Sequence, residues 1–184
     1  TCSEILGYLE KIEGITKNRD TRHKAWGGML KCYDEANDAV KVRDIARRIL
    51  NELSTPDDLK AEALVKSGKW DVADGNIEAG KAKFDEVVSK YNNQFAAEAK
   101  YRLAKILFSA QKYQECQDAC YEVLDNYAAY DRWLGKSMNL LGDSYLAAGD
   151  EFNAKATWQS VIESFTLTEI TDEARAKLAT LKKK

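Results

Sequence analysis

Sliding the 184-residue chain along itself brings like side chains into register at intervals of 36 to 38 residues, and this period constrains the fold more than any other feature. Self-similarity at 20 to 50 residues means stacked supersecondary units, each unable to bury its apolar face alone, rather than one globule. From Leu141, Gly142 and Tyr145, a step back of 38 reaches Leu103, Ala104 and Leu107. A further 36 reaches Ser67, Gly68 and Asp71, and another 38 reaches Met29, Leu30 and Tyr33. The second half of each unit repeats more clearly: Ala154, Trp158, Val161 and Phe165 match Cys116, Cys120, Val123 and Tyr127. They match in turn Gly80, Phe84, Val87 and Tyr91, then Val42, Ala46, Ile49 and Leu53.

Within each unit, apolar residues three and four apart mark two amphipathic helices. Short turns at Asn37-Asp38, Gly75-Asn76, Gln111-Lys112 and Gly149-Asp150 break them, so each unit is a helical hairpin. The expected organisation is one domain over 1–184: a half repeat at 2–14, hairpins at 20–54, 55–92, 93–128 and 130–166, and a covering helix at 171–182. The small residue at the Gly142 position lets two helix backbones approach, and the bulky one at the Trp158 position fills the space against the neighbouring hairpin. Thr55-Pro56-Asp57-Asp58 reads as a capping hydroxyl before a first-turn proline and two acids, and Thr171-Asp172-Glu173 opens the last helix in the same way. Lys182 to Lys184 would complement the negative end of that helix, or form a disordered end.

Composition excludes several classes. No segment reaches the roughly 18 consecutive apolar residues of a membrane-spanning helix. The 28 basic and 30 acidic side chains leave a net charge of -2, so no global field favours nucleic acid or anionic lipid. Asp143, Asp150 and Glu151 could be mistaken for an acidic site, but they stand beside packing positions and at a turn and helix start, where carboxylates suit the helix dipole. No phosphate-cradling glycine loop or nucleophile–base arrangement is visible, so no catalytic residue is assigned and no enzyme is expected. Cys116 and Cys120 fall on packing positions and read as small core hydrophobes; His23, the single histidine, is remote from them, so neither a metal nor a cofactor is expected. The four cysteines show no obvious pairing, which argues against an oxidising compartment. A chain that starts with Thr1 is expected of a processed protein or an excised piece of a longer one.

The units resemble tetratricopeptide repeats, a family marked by a large residue, Leu-Gly, Tyr, a small residue and an aromatic at fixed offsets. The first unit supplies Trp26, Met29, Leu30 and Tyr33; the last supplies Met138, Leu141, Gly142, Tyr145, Ala154 and Trp158. Asp71 and Gly80 depart from the pattern in the second unit. The resemblance implies an all-α fold, a right-handed superhelix of stacked antiparallel hairpins, with a concave face lined by the first helix of each unit. In that family the concave face holds a peptide or helix from another protein.

Mapped onto this sequence, the groove positions are Lys31, Lys69 and Lys105, with Asp143 in the fourth unit; then Asp34, Val72, Phe108 and Leu146; then Gly27, Val65, Tyr101 and Asn139. The binding residues expected from this mapping are Lys31, Lys69, Lys105, Val72, Tyr101, Phe108, Asn139 and Leu146, a basic rail suited to an acidic segment with apolar anchors. The alternative for the lysines is that they keep an exposed face soluble. The clamp some members use for a terminal carboxylate is incomplete: Lys31 and Arg102 match its charge, but Gly27, Lys66 and Glu98 do not complete it. "YNNQFAAEAKYRLAKILF", residues 91–108, is also similar to repeats of bacterial cell-envelope proteins, which favours the periplasm or envelope over the cytoplasm.

The function expected is a non-enzymatic scaffold within a larger protein or assembly, binding a protein or peptide. The alternative is a helical-repeat nucleic-acid module, which Asp143 disfavours by interrupting the rail. Lys41, Arg43, Arg47 and Arg48 read as a solvated helix face in which Asp44 can pair with Arg48. Tyr127, Tyr130 and Trp133 read as packing between repeats.

Overall fold

A computed structural model describes residues 1–181. Its helices are α1 (Cys2–Ile15), α2 (Arg19–Glu35), α3 (Ala39–Asn51), α4 (Asp57–Ala73), α5 (Ile77–Lys90), α6 (Gln94–Ser109), α7 (Tyr113–Asn126), α8 (Asp131–Ala147), α9 (Glu151–Ser164) and α10 (Thr168–Leu181). Among the described residues there is no strand, and the chain is the all-α helical repeat its period implies. The lysine run Lys182–Lys184 lies outside the described residues.

Contacts divide the chain into two compact units, Thr1–Tyr91 and Asn92–Lys184. In the first, α2 pairs with α3 and α4 with α5, α1 packs on α2, α3 on α4, and the two first helices α2 and α4 also touch. In the second, α6 pairs with α7 and α8 with α9, α7 packs on α8, α9 on α10, and the first helices α6, α8 and α10 meet in sequence.

One turn design recurs in every hairpin. Asn37, Gly75, Gln111 and Gly149 all carry positive φ, at 57°, 87°, 59° and 88°. Each donates its N–H three residues back, to Asp34, Val72, Phe108 and Leu146, and the following residue donates five back, to Tyr33, Asp71, Leu107 and Tyr145, at 2.8 to 3.1 Å. These paired bonds satisfy the carbonyls that a helix C-terminus leaves open. The next helix then starts at once, with Asp38 accepting from Lys41 N at 3.0 Å and Asp150 from Asn153 N at 3.0 Å.

Two helix starts differ from the sequence reading. Pro56 occupies the N-cap of α4 rather than its first turn, so Thr55 sits one place too early to cap, and its buried hydroxyl finds no partner among the described residues. The last helix begins at Thr168, not Thr171; Thr171 is buried one turn in and hydrogen bonds back to Thr168 O at 3.3 Å.

The first unit's core gathers Trp26, Leu30, Val42, Ile45 and Ile49, with Leu6 and Leu9 of α1 laid against it. In the second unit, Ala104, Cys116, Cys120 and Leu141 form one cluster, and Ala154, Trp158, Val161, Ile170 and Ala174 another. Gly142 is required where α8 meets α9: a Cβ there would stand 2.3 Å from Trp158 Nε1. The departures of the second unit compensate one another. A Cβ at Gly80 would meet Val72 Cγ2 at 2.4 Å and Gly68 O at 2.7 Å, so α4 and α5 touch nearly backbone to backbone. Asp71, standing where other units have tyrosine or leucine, pairs with Arg43 at 2.8 Å and Lys83 at 2.5 Å.

The cysteines divide. Cys116 and Cys120 are buried and unbonded, in the core places expected of them. Cys2 and Cys32 form a disulfide with Cα atoms 5.2 Å apart, a pairing that is not obvious in the sequence and that removes its argument against an oxidising compartment. Their partnership depends on α1 lying along α2, a tertiary fact that a separation of 30 residues does not disclose.

Candidate functional site

The three acids of the 140–158 stretch are employed separately. Asp150 caps α9, Glu151 pairs with Lys155, and Asp143 bonds Lys177 of α10 at 2.7 Å. Burial pushes the Asp143 carboxyl above its usual range, against the opposing pull of Lys177. A cleft of about 300 Å³ at the start of α2 is lined by Asn18, Arg19, Asp20, His23 and Ser54. In its lining Ser54 donates to Glu52 at 2.9 Å. No group of three or more His, Cys, Asp and Glu among the described residues could hold a metal, and no described helix is long and apolar enough to cross a membrane.

On the first-helix face of the Thr1–Tyr91 unit, Lys31 is exposed, but Lys69 is not free. Its ammonium lies 2.5 Å from Asp34, which also takes Lys66 at 3.0 Å and the Trp70 indole N–H at 2.8 Å. Burial alone would raise the Asp34 carboxyl, but Lys69 and Lys66 hold it below the usual range. Val72 packs inward on Gly80, and Val65 is fully buried. Two lysines from α4 are thus spent on one carboxylate of α2, a bond between hairpins rather than an open rail.

The Asn92–Lys184 unit is built differently. Tyr101 of α6 and Trp133 of α8 bring their rings to 5.7 Å. Above Trp133 stand the Lys136 ammonium at 5.2 Å and the Arg132 guanidinium at 6.0 Å, within the range of cation–π attraction. Burial, then repulsion from Arg132, lowers the affinity of Lys136 for its proton. Burial likewise raises the Tyr101 hydroxyl to about 12. Lys105 is exposed, in the field of Asp143. Arg102 is held by Glu98 at 2.5 Å, Arg132 by Glu169 at 3.0 Å, and Lys177 by both Asp143 and Glu173. The result is an aromatic step beside cations of which Lys105 and Lys136 make no ion pair among the described residues.

Other residues expected on the open face turn inward. Asn139 is 1% exposed; its Nδ2 donates to Ile170 O at 3.0 Å, and its own carbonyl accepts from Trp158 Nε1 at 3.2 Å. It braces α8, α9 and α10, because α10 covers the place that an open groove would leave bare. Phe108 leans on Tyr113 with rings 5.7 Å apart, and Leu146 packs against the Trp158 cluster.

Sequence reasoning placed Trp133 in packing and passed over Lys136. The signal was the i, i+3 spacing of Trp133 and Lys136 on one helix face, with Arg132 adjoining. The basic cluster of α3 also does more than solvate: Arg43 ties α3 to Asp71 of α4 and to Asp74 at that helix's C-cap, and Arg48 reaches Glu13 of α1 at 3.3 Å. Asp44 pairs with Arg48 at 2.8 Å, as its spacing predicts.

The family model described as a tetratricopeptide repeat-like domain matches residues 20–183. No curated protein matches the chain.

Proposed function

Because the chain belongs to the tetratricopeptide repeat-like family, whose members are typically non-enzymatic scaffolds, we propose that it docks a segment of another protein. The docking face is that of α6, α8 and α10, and the segment carries carboxylates and at least one apolar anchor. The observation that carries this reading is the Tyr101–Trp133 step with Lys136 and Lys105 beside it. An aromatic platform next to the half-buried Lys136 and the exposed Lys105 suits an acidic residue flanked by an apolar one, and such anchors dominate protein interfaces. On the first-helix face of the other unit, taken by itself, Lys31 is exposed while Lys69 is neutralised by Asp34. The Cys2–Cys32 disulfide favours an oxidising compartment, in keeping with an envelope or extracellular setting.

The test is affinity purification followed by mass spectrometry, comparing the natural chain with a variant carrying Lys105→Glu and Lys136→Glu, and with Trp133→Ala. Partners lost from both variants and retained by Lys31→Glu fit the reading. An unchanged partner set, or tight salt-sensitive binding to an oligonucleotide and none to protein, would refute it.

A further inference from the structure

The docking face above leaves unexplained the cleft of about 300 Å³ at the start of α2. It lies within the Thr1–Tyr91 unit, between the first turn of that helix with its N-cap Asn18 and Ser54 of the loop joining α3 to α4. Its size is at the lower end of the range for small-molecule sites. The side chains around it carry opposite charges that stay unpaired. Arg19 and Asp20 are both exposed, and neither side chain makes an ion pair or hydrogen bond among the described residues. Adjacent residues on a helix do not face each other, so the two charges stand apart on the rim rather than cancelling.

The helix adds to the positive side. Asn18 Oδ1 accepts from Thr21 N at 2.9 Å and Asn18 O from Arg22 N at 3.1 Å. The backbone N–H groups of Arg19 and Asp20 are left without a partner among the described residues, at the positive end of the helix dipole. A second feature points to a ligand. His23, one turn on and part of the same lining, is 5% exposed, yet its Nε2 has no hydrogen-bond partner among the described residues. Trp26, whose ring stands 5.7 Å from the imidazole, gives its indole N–H to Glu13 instead. Buried polar atoms of native proteins are nearly always bonded, so an orphan in the lining of a polar cleft calls for a partner from outside.

We propose that this cleft binds a free α-amino acid in its zwitterionic form. The carboxylate lies at the helix start against Arg19 and the open N–H groups, the ammonium turns to Asp20, and a polar side chain, suited by Asn18 and Ser54, reaches toward His23. The charge pattern decides against simpler ligands. Inorganic phosphate, or a carboxylate with no amine, would use Arg19 and the helix start but meet repulsion from Asp20, and an amine alone would meet the reverse. A peptide terminus carries only one of the two charges, which leaves the free amino acid as the matching class. The cleft shares no residue with the face of α6, α8 and α10, so either reading can fail without the other.

His23 is the only histidine of the chain, and its imidazole proton resonances therefore report on the cleft without ambiguity. The experiment titrates serine into the whole chain at fixed pH and ionic strength, with N-acetylserine, serine amide and inorganic phosphate as comparisons. Serine should shift the His23 resonances saturably, with Kd on the order of 1 mM for a ligand of so few atoms. N-acetylserine and serine amide, each lacking one charge, should bind about fivefold or more weakly. Arg19→Ala should weaken serine by a similar factor. Asp20→Asn should weaken serine while bringing N-acetylserine level with it, a change of preference that a loss of folding cannot produce. Both residues are exposed, so helical content by circular dichroism should be retained in each variant. No saturable shift with serine up to about 50 mM, N-acetylserine or phosphate binding as tightly as serine, or a titration indifferent to both substitutions would overturn the proposal.

Discussion

Gly142→Ala is the most exacting perturbation of the repeat. The added Cβ would lie 2.3, 2.7 and 2.8 Å from Nε1, Cδ1 and Cε2 of Trp158, an indole 1% exposed with no room to retreat. Restoring ordinary contact requires a shift of about 1 Å, and overpacking of this kind costs about 1–3 kcal/mol. The shift also breaks the indole bond to Asn139 O, worth about 1 kcal/mol. Alanine returns about 1 kcal/mol through its higher helix propensity. The net loss is about 1–3 kcal/mol, which for a unit of this size lowers Tm by roughly 5–15 °C. Urea titration and thermal melting followed by circular dichroism measure it. A second variant checks the cause: with Trp158→Leu in place the clash is gone, so the double mutant loses less than the two single losses summed, by at least about 1 kcal/mol. A Gly142→Ala chain as stable as the original, or more stable, would refute the packing argument.

Three further outcomes are expected. Gln111 is a side-chain-bearing residue in the left-handed region, at φ 59°, so Gln111→Gly stabilises the chain by about 0.5–1 kcal/mol in chemical denaturation, whereas Gly149→Ala, at φ 88°, destabilises it by a similar amount. Cys32→Ser removes a covalent tie across 30 residues, worth about 3–4 kcal/mol by chain entropy, and hydrogen exchange should show the loss concentrated in the amides of α1. Asp34 and Asp71 are both pushed up by burial but held lower, below their usual value of 3.8, by Lys69 and Lys66 and by Lys83 and Arg43. Their stabilisation is therefore complete above that value and is lost as pH falls through the lower folded value. Replacing both with Asn should flatten the decline of stability as pH falls below their usual value of 3.8, and an undiminished decline would place acid sensitivity elsewhere.

The period was legible because packing places strong demands on sequence. A small residue stands at the Gly142 position in all units but the first, which has Leu30, and Gly or Asn supplies the positive φ that ends a first helix in all but the third, which has Gln111, so both signals recur along most of the chain. The four turns stand where the dipeptides indicate, Gln111 included, because the hairpin requires that conformation whatever the residue. The candidate surface was less legible. Lys69 reads as an exposed cation until Asp34 of the neighbouring hairpin arrives beside it, and Asn139 reads as open until α10 covers it. Cys2 and Cys32 pair for the same reason, through proximity that no local pattern encodes. The Trp133–Lys136 spacing was available, but a tryptophan near a hairpin junction is equally expected of packing.

Ties such as Asn139 to Ile170, Lys69 to Asp34 and Arg132 to Glu169 span 31, 35 and 37 residues, about one step of the period. A chain fastened over such short spans can acquire structure piecemeal as its segments become available, with little loop entropy to overcome at each addition. By the same token, injury should stay local: a broken hairpin would fray its immediate neighbours first, and resonances from distant helices would be the last to change.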